Sequence, residues 1–276
     1  MATIADVLAR AVELREIAAS YRLDTELLLC KVLERGRAFL YARPETVLTD
    51  AQSRAFDRLF ARRKDGEPMA YVLGERQFWT LRLKVSPATL IPRPETELLV
   101  ELALALVLEP AARVLDLGTG SGAIALALAR ERPAWQLTGI DSSAAALVVA
   151  EANRAALGLD NARFRHGDWL AGETDRHHLI VANPPYIDAA DPHLVRGDLR
   201  FEPRAALVAA DAGMAALRAI IAGAPAHLCP GGWLLLEHGS TQGAAVRERC
   251  AAELREVQTW RDLAGCERVS GGRLPA

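Results

Sequence analysis

The sequence predicts an α/β fold, a mainly parallel sheet with helices on both faces, preceded by a small helical domain. Three observations predict it. From residue 113 onward, short apolar runs alternate with helical patterns, as crossover-connected parallel strands require. A loop of three glycines, Gly118-Thr119-Gly120-Ser121-Gly122, separates one such run from the helix after it. Before residue 75 the apolar residues recur at helical spacing.

The elements follow in order. Ile4, Val7, Leu8, Ala11, Leu14, Ile17 and Ala18 share one helical face. A leucine-rich helix is expected over 25–34, a third over 52–64 and a short one over 68–73, which Gly74 ends. Residues 1–75 therefore read as a helical domain placed to dock a substrate. Phe78, Leu81, Leu83 and Val85 alternate, so the linker 76–91 holds a β-hairpin. Pro87, Pro92 and Pro94 mark entry into a domain over 92–276, and Pro94 suits the first turn of a helix running to about Leu108. Strands are expected to start near 113, 136, 162, 178 and 232. Helices are expected over 123–130, 142–157, 214–226 and 242–254, and two last short strands over 256–262 and 267–270.

Bulk properties narrow the function. At 276 residues and 51% hydrophobic, the chain supports one large or two small domains with a proper core. A net charge of −2 directs no global field at nucleic acid. Cys30, Cys229, Cys250 and Cys266 are far apart and lack ligand spacing, so free thiols in a reducing compartment are expected, and no metal. The first residues lack a basic stretch followed by an apolar core, and no apolar run is long enough to span a bilayer. A monomer in the cytoplasm, with no membrane partner, is expected.

The chemistry is concentrated in Asn183-Pro184-Pro185-Tyr186, directly after the apolar run Leu179-Ile180-Val181-Ala182. An amide, a rigid turn and an aromatic ring then share one strand's C-terminal end. The Asn183 amide oxygen can accept one N–H of a planar NH2 group, and the carbonyl of Pro184 can accept the other. Tyr186 can stack on the flat group. Asn-Pro-Pro is also an ordinary turn signal.

Upstream, Arg113-Val114-Leu115-Asp116-Leu117 reads as a buried strand leading into the glycine loop. Gly118-x-Gly120-x-x-Ala123 fits a dinucleotide fingerprint loosely. Asp116 can orient the loop and hold the amino-acid end of a cofactor, or merely brace the loop. Asp141 ends the next strand, placed either to accept from ribose hydroxyls or to cap the following helix. Asp168 can read an adenine amino group, and Trp169 can pack on the adenine face or fill the core.

The tetrapeptide resembles the signature of methyltransferases that modify planar nitrogens, and Asp116-x-Gly118-x-Gly120-x-Gly122 is similar to their cofactor motif. Both favour S-adenosylmethionine over NAD. The chain resembles, over nearly its whole length, the protein-(glutamine-N5) methyltransferases that act on peptide-chain release factors. The matching segments are 66–74 (Gly66-Glu67-Pro68 onward), Ile91-Pro92-Arg93-Pro94-Glu95-Thr96-Glu97, 116–122, 183–186, Arg200-Phe201-Glu202-Pro203 and Leu236-Glu237-His238-Gly239. The resemblance implies a Rossmann-like class I methyltransferase sheet with one antiparallel final strand. It also implies S-adenosylmethionine as methyl donor, contacting Asp116, Gly118, Thr119, Gly120, Ser121, Gly122, Asp141, Asp168, Trp169 and Asn183. The implied substrate is the glutamine of the Gly-Gly-Gln loop in class I release factors. A glutamine methyltransferase of a ribosomal protein and a nucleic-acid amino methyltransferase are the rival readings.

Other polar residues read less sharply. Arg54, Arg58 and Arg62 recur every four residues, as a docking face for an acidic partner or an ordinary solvated face. Arg93 is expected to approach the cofactor or the substrate loop. His177 and His178 are expected on a loop surface, and His238 in a structural role.

Overall fold

The computed structural model describes residues 2–276 and divides the chain into two compact units. One comprises residues up to Gly74 with Val195–Phe201, and the other Glu75–Leu194 with Glu202–Ala276.

The first unit is helical: α1 (Ile4–Ala9), α2 (Tyr21–Leu33), α3 (Arg37–Ala42), α4 (Asp50–Lys64) and α5 (Met69–Leu73). Capping boxes start α1 and α4, with Thr3 paired to Asp6 and Thr49 to Gln52. Gly74, left-handed at φ 71°, ends α5. Ile4, Leu14, Leu28, Leu29, Leu40, Phe56 and Phe60 form its core. The helix expected through Ala18 tightens after Ala9 into a 3₁₀ segment over Arg10–Leu14. Its buried residues, Ala11 and Leu14, are three apart, a spacing both helix types satisfy. Arg63 is almost fully buried and pairs with Asp24 at 2.8 Å, while its other nitrogen donates to the carbonyl of Glu67.

The second unit opens with the hairpin β1 (Glu75–Phe78) and β2 (Leu81–Lys84), paired antiparallel. There follow α6 (Glu97–Leu106), β3 (Arg113–Leu117), α7 (Ala123–Glu131), β4 (Gln136–Asp141), α8 (Ala144–Leu157), β5 (Ala162–His166) and β6 (His177–Ala182). The unit ends with α9 (Arg204–Leu207), α10 (Ala215–His227), β7 (Leu228–Glu237), α11 (Gly243–Cys250), β8 (Arg255–Arg261) and β9 (Glu267–Arg273). The sheet runs β5-β4-β3-β6-β7-β9-β8, and β9 alone is antiparallel to its neighbours.

Alternation along each strand sends side chains to two cores. Val114, Leu137, Leu179, Val181 and Leu235 pack on one face with residues of α6, α7 and the hairpin. Leu115, Leu117, Ile140, Ile180, Leu234 and Leu236 pack on the other with residues of α10 and α11. Strand order reverses beside β3, where β4 lies on one side and β6 on the other. Open α/β sheets bind ligands at the carboxyl ends of strands flanking such a reversal.

Candidate active site

Four strand ends meet there. Asp116 lies in β3, Asp141 ends β4, Asp168 follows β5 and Asn183 follows β6. A cleft opens at these ends, lined by Gly118, Gly120, Asp141, Asp168, Trp169 and Asn183. Pro185, the 88–90 loop and parts of 203–206 complete the lining. Asp116, Thr119 and Ser121 are buried and do not line it, and neither does Gly122.

Asp116 is 1% exposed and shares its side of β3 with Val114, so it faces α7. Its Oδ2 accepts from the Thr119 hydroxyl at 2.6 Å and from the Ala125 amide at 3.3 Å. Its Oδ1 is buried and has no partner among the described residues. An orphaned buried carboxylate oxygen is costly and calls for a donor. Burial pushes this carboxyl from 3.8 up to about 7, opposed by the Thr119 hydroxyl and the Ala125 amide.

Asp141 braces the loop. Its Oδ2 accepts from the Gly120 amide at 2.8 Å and its Oδ1 from the Ser143 amide at 2.8 Å. Each oxygen keeps acceptor capacity for a ligand. The cap of α8 is Ser143, whose hydroxyl accepts from Ala146. Gly118, Gly120 and Gly122 have φ of 72°, 56° and 82°, values that side chains rarely tolerate, so bare backbone forms this wall. Trp169 adopts φ 46° while packing partly on the second core. A non-glycine residue held there is strained, a condition that clusters at ligand sites. Trp169 thus both lines the cleft and fills core space.

The Asn183 amide nitrogen donates to the Thr96 hydroxyl oxygen at 3.1 Å. Pro184 is buried and Tyr186 half-buried. The Tyr186 hydroxyl donates to Glu237 Oε1 at 3.2 Å, and burial followed by the charge of Glu237 raises the phenol's pKa. Glu237 is 1% exposed. Burial pushes its carboxyl from 4.5 to about 7, against the Thr96 and Tyr186 hydroxyls.

Several expectations need correcting. Arg93 does not reach freely into the cleft: its guanidinium pairs with the buried Glu202, which also accepts from the Ile91 amide at 2.9 Å. Arg62 is held by Glu67 through two nitrogens, at 2.7 and 2.5 Å, so the arginine row is not one free face, although Arg54 and Arg58 are exposed. His177 is a buried strand residue rather than loop surface. His238 is fully buried between Ser270 and the carbonyl of Gly239. Among the described residues, no group of three or more His, Cys, Asp or Glu side chains is placed to hold a metal, and no helix is long and apolar enough to cross a membrane. Thr96 and Glu237 were not singled out individually in the sequence. Their only signal was membership of the 91–97 and 236–239 segments.

Residues 6–74 match the model described as the PrmC N-terminal domain, and residues 94–196 match the methyltransferase small domain. The chain is 53% identical over 256 residues to a release factor glutamine methyltransferase of Pseudomonas aeruginosa, covering 92% of this chain and 93% of that one. It is 50% identical over 270 residues to the protein of the same name from Escherichia coli, covering 96% and 97%. Among solved structures it is similar in fold to a Thermus thermophilus 16S rRNA N2 G1207 methyltransferase, in complex with AdoMet and guanosine. That likeness has a TM-score of 0.53 at 22% identity, over 72% of this chain and 49% of the other. With half of its residues shared along nearly the full length of such relatives, the chain belongs to the release factor glutamine methyltransferase family.

Proposed function

We infer that the protein transfers a methyl group from S-adenosylmethionine to the side-chain amide nitrogen of the glutamine in the Gly-Gly-Gln motif of class I release factors. The observation that carries this is the orientation of Asn183 at the cleft. Its nitrogen is engaged by Thr96, which leaves its oxygen to accept from a planar NH2 group.

The residues fit the methyl donor. Asp116 lies behind the cleft wall, so its orphaned Oδ1 suits the donor's amino group through a bridging water. Asp141 retains acceptor capacity for ribose hydroxyls, while Asp168 and Trp169 suit the adenine edge and face. When bound, S-adenosylmethionine supplies an electrophilic methyl on a positively charged sulfur.

The chain's task is mainly positioning. An amide nitrogen is a weak nucleophile because its lone pair is delocalised into the carbonyl. Acceptors at Asn183 Oδ1 and the Pro184 carbonyl polarise its N–H bonds, favouring the charge that develops as it attacks. Holding it in one orientation removes most of the remaining entropic barrier. The helical unit over 2–74 serves as the docking module for the release factor, and the enzyme acts as a cytoplasmic monomer without direct nucleic-acid contact.

Asp116 gives a pH prediction. The unfolded chain holds this carboxyl near 3.8 and the cofactor-free fold near 7. The fold therefore binds the extra proton between those values, and that stabilisation, complete below the lower one, is lost as pH rises through the upper. Binding a cationic amino group requires the carboxylate, so cofactor affinity is expected to rise between about pH 6 and about pH 8. Calorimetry on Asp116→Asn should find that rise gone. An unchanged pH profile would remove Asp116 from the cofactor's amino end.

Methyl transfer from labelled S-adenosylmethionine to a purified class I release factor tests the whole reading. A release factor with alanine in place of the Gly-Gly-Gln glutamine is the control. Label on the first alone is expected. Label on neither, with cofactor binding intact, would redirect the search to ribosomal-protein and nucleic-acid acceptors.

A further inference from the structure

Thr96 is in an unusual situation. It precedes α6 at the N-cap position, where a threonine hydroxyl ordinarily accepts from the first turn of the helix. Here it makes no such bond. The side chain is 4% exposed, and its oxygen accepts instead from Asn183 Nδ2 at 3.1 Å.

A hydroxyl that accepts still has a proton to place. The Glu237 carboxylate lies beside it, close enough for the Thr96 hydroxyl to favour the ionised form. Glu237 Oε1 takes the Tyr186 hydroxyl, whereas Oε2 is buried and has no settled partner. Arg268 also favours the charged carboxylate, and Glu95 opposes it.

The atom of Asn183 that faces the Thr96 oxygen is the nitrogen, so the amide oxygen is turned away from Thr96 and free to accept from another donor.

We propose that Thr96 is a positioning residue for methyl transfer, its buried hydroxyl holding the Asn183 amide nitrogen so that Asn183 Oδ1 stays turned toward the substrate amide. This rests on the assignment of Asn183 as the substrate's acceptor.

Thr96→Val tests it, because valine keeps the shape and removes the hydrogen bond to Asn183. The expected result is a loss of about 10- to 100-fold in kcat. The release-factor KM and the cofactor affinity should each stay within about threefold, the scale of less than one hydrogen bond. Thr96→Ser, which keeps the hydroxyl, should return kcat to within about threefold of the parent. The proposal is overturned if Thr96→Val keeps its kcat, or if serine fails to rescue it. It is also overturned if kcat falls only in step with cofactor affinity or the unfolding midpoint, since Thr96 would then be merely structural. Asn183→Ala measured alongside separates the two levels. If that variant stays active, the assignment of Asn183 itself fails. If it is inactive while Thr96→Val is active, only the role of Thr96 fails.

Discussion

Asn183→Ala is expected to lower methyl transfer by about 10²- to 10³-fold, the effect of removing one preorganised group that stabilises developing charge. The reason is local. Asn183 follows β6, where Ile180 and Ala182 are pinned in the second core, so its backbone cannot drift. Its nitrogen is held by Thr96, so the oxygen is presented in one orientation. Alanine removes that acceptor and leaves the substrate amide free to rotate. Cofactor affinity should change by no more than a few-fold, because Asp116, Asp141 and the glycine loop are untouched. Single-turnover methylation beside a cofactor titration distinguishes these effects. Near-parental turnover would end the role assigned to the tetrapeptide. A parallel collapse of cofactor affinity would recast Asn183 as a cofactor residue only.

Much of this site is written in local patterns. Asp116, Asp141, Asp168 and Asn183 each stand at or just past the C-terminal end of an expected strand, and the topology of an alternating α/β chain brings such ends together. The glycine loop is legible because its backbone needs φ values that only glycine adopts freely. What escapes the sequence is pairing across long separations. Thr96 and Asn183 are 87 residues apart, and Tyr186 and Glu237 are 51 apart, so no window shows either contact. A glutamate fully buried at a strand end also contradicts the ordinary preference of its type. Arg93 shows the same limit from the other side. Its proline-framed loop suggested a free cation by the cleft, but Glu202, 109 residues away, takes its charge. Helices were missed where they are short. Arg37–Ala42 has one buried residue and no side-chain cap, so neither periodicity nor a start signal marks it. Likewise β7 begins at Leu228, earlier than expected: Leu228 pairs with His177 of β6, the turn-like Cys229-Pro230-Gly231-Gly232 bulges, and pairing resumes at Trp233.

Gly213→Ala is expected to cripple the enzyme without any change to a cleft residue. Gly213 sits just before α10 with φ 81°, after Asp211 and Ala212, which also have positive φ. A Cβ there would stand 2.1 Å from the carbonyl oxygen of Tyr186 and 2.7 Å from its carbonyl carbon. Those are backbone atoms, so no rotamer change relieves the clash. The same carbonyl accepts from Gln242 Nε2 at 3.1 Å, and that nitrogen would be only 2.9 Å from the new methyl. Either the 211–213 turn or the Pro-Pro-Tyr backbone must therefore move. Displacing reacting groups by about an ångström costs on the order of a hundredfold in rate. Gly158→Ala is the matched control. Its φ is 64°, but its Cβ would meet nothing within 4 Å, at the exposed end of α8. Both variants should lose about 1–2 kcal/mol of stability from left-handed strain, with a further loss at Gly213 from the clash. Only Gly213→Ala should lose turnover. If the two variants turn over equally, the Tyr186 backbone is not held in register by this turn, and the geometry of the tetrapeptide must be set by β6 alone.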